Sequence, residues 1–154
     1  MSQGFTPKLE LVFREGIGPL KLDMTRSEVQ KALSDFPNSG LDQESTPELD
    51  YAFGNSLQVE YDGDGLARFI AASYYTGCGC DYLLQGQNIG QYSAAELFGL
   101  LAQLDGGQHD FNDSQYFFPK LQINVWDADT QYDYLGGEER PVYAQVGVSR
   151  IDQA

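Results

Sequence analysis

The sequence predicts an α+β fold in which one antiparallel sheet carries two short helices packed on one face. Two amphipathic segments each open with a helix-capping signal, and each is followed by a polar loop and by runs typical of strands. Because this order occurs twice, we predict a tandem duplication of a helix–loop–meander unit. The 154 residues then form a single domain over 1–154, built of repeats at roughly 15–80 and 85–150.

The first predicted helix follows Thr25. Thr25 and Glu28 form a capping box, because the Thr25 side chain can bind a first-turn N–H while Glu28 reaches back to the N–H of Thr25. Apolar residues recur at helical spacing from Val29 to Phe36, and Pro37 ends the helix.

Runs typical of strands surround this helix. One run, at 8–13, precedes it, and runs at 49–53, 57–61 and 66–75 follow it. The last two are joined by Asp62-Gly63-Asp64-Gly65, and Asp-Gly is a favoured hairpin turn. The first repeat therefore reads as a helix followed by a meander.

The second repeat follows the same order. Ser93 and Glu96 give a second capping box, leucines recur at helical spacing over 97–104, and Gly106 follows as a stop signal. A helix this short is marginal alone, so each helix must bury its apolar stripe against the sheet. Three runs typical of strands come next, at 116–118, 121–126 and 142–148.

The charge of the chain limits its partners. Acidic residues number 23 against 9 Lys and Arg, which gives a net charge of −14 and an isoelectric point near 4.1. We expect no direct contact with nucleic acid or with an anionic membrane, because both need Lys and Arg to neutralise phosphate. No secretory signal and no membrane-spanning apolar run are visible, so the expected location is cytoplasmic.

Motifs of known reactions are missing from the sequence. It has no phosphate-binding glycine loop with a lysine, no His-Glu-x-x-His and no Gly-x-Ser-x-Gly. We expect Cys78 and Cys80 to be reduced and unreactive, since an acidic neighbourhood disfavours a thiolate. His109 lies in an acidic polar loop and is expected to be solvated. We therefore expect no enzymatic activity, no catalytic residue, no cofactor and no metal.

One acidic turn leaves alternatives open. Asp127 to Glu138 has acids at calcium-loop spacing, and Glu138 falls at the twelfth position. Tyr132 occupies the sixth position, where such a loop needs glycine, and a strand rather than a helix precedes the turn. An acidic hairpin turn is favoured, with metal binding or catalysis by this turn as the alternative. Mimicry of nucleic acid is a further alternative.

Tyrosines near this turn and near strand ends indicate a binding surface. Tyrosine rings supply contact area, and acids complement a basic partner; sheet and core packing is the other use for so many aromatics. We predict that another protein's basic surface contacts Tyr74, Tyr75, Asp127, Asp129, Tyr132, Asp133, Tyr134, Glu138 and Glu139.

The segment from Gly18 to Val29 (Gly-Pro-Leu-Lys-Leu-Asp-Met-Thr-Arg-Ser-Glu-Val) resembles the opening of SmpA/BamE-like and beta-lactamase-inhibitory-protein-like modules. Those modules often begin with Leu-x-x-Gly-Met-Thr-x-x-x-Val, and Asp23 here replaces the glycine. The stretches 61–65 and 126–147 resemble small bacterial proteins, some of them similar to immunity proteins of toxin systems. The resemblance implies a tandem helix–meander fold and a non-enzymatic inhibitor or immunity protein that blocks a basic site on a cognate toxin or enzyme.

Overall fold

A computed structural model of the chain describes residues 7–36, 48–53, 56–73, 80–89, 92, 94–106, 110–112, 115–118, 120–126 and 145–150. In chain order its first half contains β1 (Lys8–Val12), β2 (Gly16–Ile17), β3 (Leu20–Lys21), α1 (Arg26–Ser34), β4 (Leu49–Ala52), β5 (Leu57–Tyr61) and β6 (Ala67–Ala72). The second half contains β7 (Asp81–Leu84), β8 (Gln87–Asn88), α2 (Ala94–Asp105), β9 (Asp110–Asn112), β10 (Gln115–Phe118), β11 (Ile123–Trp126) and β12 (Gln145–Ser149). The α+β class is confirmed.

Within the described residues, both halves of the chain contribute to one antiparallel sheet of seven strands, here called the large sheet. Its order is β4-β5-β6-β12-β11-β10-β9, and each neighbouring pair is antiparallel. Strands β4 to β6 form one meander and β9 to β12 another. The two meanders meet where β6 pairs with β12, so the chain's last described strand closes the sheet.

A second sheet was not predicted from the sequence. Five short strands form it in the order β3-β2-β1-β7-β8, and β1 pairs with β7 in parallel. Strands β2, β3 and β8 have two residues each, too few to show the alternation that predicts a strand. The prediction of a single sheet was therefore wrong, because hairpins this short leave no periodic signal.

The second sheet packs against the middle of the large sheet. Its strand β2 contacts β6 and β12, and Ile17 on β2 is fully buried. Tyr82 on β7 is fully buried as well, and its hydroxyl lies 2.6 Å from the Ser56 hydroxyl beside β5. This buried hydrogen bond ties the second sheet to the turn that precedes β5.

Two rows of inward side chains cross the large sheet. In each row, neighbours on adjacent strands are directly paired. One row consists of Ala52, Leu57, Ala72, Val146, Val125 and Tyr116, and the other of Asp50, Val59, Ile70, Val148, Ile123 and Phe118. All but Tyr116, which is partly buried, are below one-tenth exposed, so this face is the core face.

Helix α1 begins as predicted. The Thr25 hydroxyl accepts from the Glu28 N–H at 3.2 Å, and the Thr25 N–H donates to Glu28 Oε1 at 2.9 Å, which confirms the capping box. Val29 and Leu33 are buried, and the helix ends before Pro37.

Helix α2 ends at Asp105, and the following Gly106 has a φ of 85°, which suits glycine. Leu97 and Leu101 form its buried stripe. The ring of Phe98 packs against the rings of Tyr116 and Phe118 on β10, with distances between ring centroids of 4.7 and 5.6 Å. Ser93 lies outside the described residues, so the second capping box stays a prediction.

Replacement of Gly147 by alanine is expected to destabilise the fold. A Cβ at this position would lie 2.8 Å from the Cβ of Ala71 and 2.7 Å from the ring of Phe69, and the Ala71 Cβ is fixed by its strand. We expect a loss of about 2 kcal/mol in the free energy of unfolding, measured by chemical denaturation. Gly63→Ala is the matched control, because a Cβ there meets nothing within 4 Å. Equal stability of the two variants would contradict the close approach.

Candidate functional site

The predicted partner-binding residues lie outside the described part of the chain. These are Tyr74, Tyr75, Asp127, Asp129, Tyr132, Asp133, Tyr134, Glu138 and Glu139. Cys78 and His109 lie outside it too, and so does the turn from Asp127 to Glu138 that carries the calcium alternative. These predictions therefore stay predictions.

The described strands do bring together the positions from which these segments continue. Ala72 on β6 pairs with Val146 on β12, which pairs with Val125 on β11. In the sequence, Tyr74 follows two residues after Ala72, and Asp127 follows two residues after Val125. The tyrosine pair and the acidic turn thus continue from β6 and β11, which are separated by β12, at the same end of the large sheet.

Charge is divided unevenly between the described residues and the rest of the chain. The described positions hold 14 acids and 8 Lys or Arg, whereas the remaining positions hold 9 acids and 1 arginine. The described residues thus carry a net −6 and the others −8 of the total of −14. More than half of the excess acid is contributed by segments that connect or flank the described elements.

The face of the large sheet opposite the core face is here called the outer face. Its side chains alternate along each strand with the two inward rows. Those whose side chains the structure describes are Leu49, Tyr51, Gln58, Glu60, Phe69, Ala71, Phe117, Asn124, Gln145, Gly147 and Ser149, and the register places Asp110 of β9 opposite Phe117. Most are half-buried, but Ala71, Gly147 and Asn124 at the centre of the face are buried. Glu60 is the one charged residue among the side chains described. Arg68, next to Phe69 at a register shift, lies 3.5 Å from Glu60.

Hydrogen bonds between neighbouring strands organise the outer face. The Gln145 amide donates to Gln58 Oε1 at 3.3 Å, so this pair spans β6 above the small side chain of Ala71. The Asn124 amide donates to the Ser149 hydroxyl at 2.6 Å. The described outer face is therefore an aromatic and amide surface with its polar groups partly paired, and acid is not concentrated on it.

A buried carboxylate joins α1 to the edge of the large sheet. Asp50 is 1% exposed and accepts from Arg26 through two contacts at 2.7 and 3.1 Å. It also accepts from the Tyr61 hydroxyl at 2.8 Å and from the Gln30 amide at 3.3 Å. Such a bidentate pair with further donors is well satisfied for a buried charge.

The protonation of this network follows from its contacts. Burial alone would raise the pKa of Asp50, but the hydrogen bonds from Arg26, Tyr61 and Gln30 and the charge of Arg26 lower it on balance. Burial raises the pKa of Tyr61, and the hydrogen bond to Asp50 raises it further. The hydrogen bond to Asp50 raises the pKa of Arg26. The network thus holds an ionised pair and a neutral tyrosine, and it serves as a structural tie.

A second ionic tie fixes the end of β12. Arg150 donates to Asp23 at 2.7 Å and to Asp62 at 2.6 Å. The backbone N–H groups of Leu66 and Asp64, together with Arg150, lower the pKa of Asp62 to about 2. This clamp joins the end of the second meander to the segment before α1 and to the β5–β6 turn.

At position 23 this chain has aspartate where the resembled pattern has glycine. Its φ is 73°, a conformation in which glycine is free of strain and aspartate is tolerated. Its carboxylate pairs with Arg150 in return. Position 23 therefore has a backbone conformation that favours glycine, although its residue is aspartate.

A third carboxylate, that of Asp105, lies at the C-terminal end of α2. Asp105 is 1% exposed, and its Oδ1 accepts from the N–H groups of Lys120 and Leu121 at 2.8 and 3.2 Å. Its Oδ2 has no hydrogen-bond partner among the described residues. Asp105 thus fixes the β10–β11 turn to the C-terminal end of α2.

Metal-binding and membrane features are also missing from what the structure describes. Within the described ranges, no three His, Cys, Asp or Glu side chains converge on a metal-sized site. Cys80 is buried, and its thiol donates to the backbone carbonyl of Asp81 at 3.5 Å. Among the same residues, no helix has the length and apolar character to cross a membrane.

Comparisons with known proteins give no further assignment. The chain matches no protein-family model, no curated protein and no solved structure.

Asp50→Asn is expected to cost about 3 kcal/mol of unfolding free energy at neutral pH, because it leaves Arg26 without its carboxylate partner. This is the lower end of the range for a broken buried pair, since the Arg26 side chain is 31% exposed. A lowered folded-state pKa stabilises the fold above the ordinary value of about 4, and this stabilisation is lost as pH falls below it. The difference in unfolding free energy between wild type and Asp50→Asn should therefore become smaller at acidic pH.

The measurement is urea denaturation of wild type and Asp50→Asn from pH 7 to pH 2. Asp64→Asn is the control, because Asp64 is exposed at the β5–β6 turn. Asp64→Asn should change the free energy of unfolding by no more than about 0.5 kcal/mol. A gap for Asp50→Asn that stays constant across this pH range would contradict the ion pair.

Asp23→Gly is expected to be more stable than Asp23→Ala by about 1 kcal/mol. Both variants lose the ion pair with Arg150, so their difference isolates the backbone at positive φ. Thermal and urea denaturation of the pair would measure it. An alanine variant as stable as the glycine variant would show that position 23 does not require this backbone conformation.

Proposed function

We propose that the chain is a non-enzymatic, acidic protein-binding module: an inhibitor or immunity protein that blocks a basic site on a cognate toxin or enzyme. The observation that carries this proposal is the separation of charge. Six of the nine acids outside the described residues, against one arginine, belong to segments that continue from one end of the large sheet, which points to a basic partner.

Internal ion pairs support this separation. Arg26 pairs with Asp50, and Arg150 pairs with Asp23 and Asp62. Arg68 and Lys21 lie 3.5 and 3.3 Å from Glu60 and Glu15, respectively. Half of the eight described Lys and Arg residues are thus engaged within the chain. The acids of the connecting segments outnumber the single arginine there, and they are the stronger candidates for contact with a partner.

We also propose that the scaffold is a tandem duplication with both helices on the core face. Arg26 of α1 contacts Asp50, and Phe98 of α2 contacts Phe118. Asp50 and Phe118 are the two ends of one inward row, so these contacts favour packing of the helices on the same face. The two meanders extend outward in opposite directions from the β6–β12 pair, as two copies of one unit would.

The function is tested by isolating the complex from the native cells with a tagged chain. We expect a basic protein partner, and its association rate should fall roughly tenfold or more between about 50 and 500 mM salt. The double variant Glu138→Gln, Glu139→Gln should slow association at low salt. Recovery of small molecules without any protein partner would overturn the proposal.

The matched control for the charge variant is Glu10→Gln. Glu10 is exposed on β1, which belongs to the second sheet. Its removal changes the net charge by one without touching the acidic turn, so it should affect association only slightly. An equal effect per charge from both variants would mean that net charge, rather than the acidic turn, drives association.

A further inference from the structure

We propose that the exposed face of α2 is a self-association surface, and that its occupant is the same face of a second copy of this chain in the opposite orientation. This face, here called the α2 face, consists of Glu96, Gly99, Leu100, Gln103 and Leu104. The inference goes beyond the proposed function and does not depend on it, because it concerns other residues and needs only the purified chain.

Leucines lie on both sides of α2. Leu97 and Leu101 are buried in the core, whereas Leu104 is 42% exposed. Among the described residues, Leu104 is the one large hydrophobic side chain that is exposed. Leu100 is half-buried and lies one helical turn before Leu104 on the same side of the helix. The two leucines therefore form an apolar ridge outside the core.

This ridge belongs to an uncharged stretch of helix. Between Glu96 and the buried Asp105, none of the eight residues of α2 is charged. Helix α1 is shorter, yet it exposes both Glu28 and Lys31. The centre of a protein interface is depleted of charge, whereas the solvated face of a helix is typically polar or charged. The composition of the α2 face is thus that of an interface centre.

A glycine lies in the middle of the α2 face. Gly99 has no positive φ, it is exposed, and a Cβ there would meet nothing within 4 Å. Glycine is less favourable than alanine inside a helix, and no contact with the described residues requires it at this position. A position without a side chain lets a second helix approach closely.

The two ends of the α2 face define the occupant. Glu96 lies at the N-terminal end. Lys120 lies at the C-terminal end, where its Nζ is 3.9 Å from the position that a Cβ of Gly106 would take. In a second copy that runs in the opposite direction, Glu96 of each copy is level with Lys120 of the other. Glu96 also interacts within its own chain, but a carboxylate accepts from several donors. The α2 face is therefore self-complementary in charge.

The net charge and the size of the face determine how strongly two copies associate. Two chains of charge −14 repel each other, and salt screens this repulsion. With 12 residues, α2 is about 18 Å long, so two such faces bury less than a stable interface does. We expect a reversible dimer with a dissociation constant on the order of 100 µM, which becomes tighter as salt is raised.

Sedimentation equilibrium of the purified full chain measures this association up to about 1 mM protein, at about 20 and 300 mM salt. Leu104→Gln should raise the dissociation constant roughly tenfold or more, because it removes the exposed end of the apolar ridge. Gln87→Ala is the control: Gln87 is exposed on β8 and its replacement leaves the charge unchanged. This control should stay within about twofold of wild type.

Gly99→Ala distinguishes docking from a structural role. Alanine is the better helix former and its Cβ has open space, so the monomeric variant should melt about 3 °C higher than wild type. The same variant should dimerise roughly tenfold more weakly, because the added methyl groups hold the two helices apart. A residue with only a structural role would not change stability and association in opposite directions.

Charge reversal tests the orientation. Glu96→Lys changes the net charge of −14 by +2 and so reduces the general repulsion. In the proposed dimer, however, it brings two cations together, so we expect weaker association. Lys120→Glu should weaken association as well, and the double variant, with the net charge of wild type, should restore it. Thermal denaturation checks that each variant is folded.

The outcomes separate this inference from the proposed function. A chain that stays monomeric at about 1 mM in about 300 mM salt overturns the inference, and so does a dimer that Leu104→Gln and Gly99→Ala leave unchanged. A double charge variant that fails to restore association shows that the orientation is wrong. If the chain is monomeric and Leu104→Gln instead releases another protein from the tagged chain, the second copy is wrong as the occupant. Whether a basic partner is isolated with the tagged chain decides the proposed function separately.

Discussion

The pairing of β6 with β12 is the interaction on which the rest of the structure depends. Strand β6 ends the first meander and β12 is the last strand of the second, so their hydrogen bonds turn two small sheets into one. Both inward rows pass through this pair without a break, and Ile70 and Val148 at its centre are fully buried. Side chains of both meanders therefore belong to one core, which is continuous across the β6–β12 pair.

The ionic ties lie where separate elements must be held against this sheet. Arg150 fixes the end of β12 to Asp23 and Asp62, and Asp50 holds α1 at the β4 edge. Each carboxylate has a cation or backbone N–H groups as its partner, which makes a partly buried charge acceptable. As a consequence, several of the few cations are paired with acidic residues of the same chain. The acid excess is then not neutralised locally.

Local signals could be predicted from the sequence, and long-range ones could not. The Thr25 capping box and the alternating strand 57–61 depend on neighbouring residues, and both agree with the structure. Phe53 shows the opposite case. Strand alternation would place it outward, but a φ of 51° accompanies a buried ring that contacts Phe36 at 6.0 Å. Asp50 reads as an ordinary polar strand residue, since its cation Arg26 is 24 positions away.

The residues of the candidate site also divide into those that the sequence could predict and those that it could not. Acids and tyrosines in connecting segments are conspicuous in a sequence, so they were the residues predicted to bind. The outer-face row could not be predicted, because glutamine and asparagine are common on exposed strands and only the register places Gln58 and Asn124 in one row with Tyr51 and Phe117. For the proposed acidic binding module, charge acts over about 10 Å and speeds the approach of a partner, so the acids of the connecting segments are expected to act mainly on the association rate.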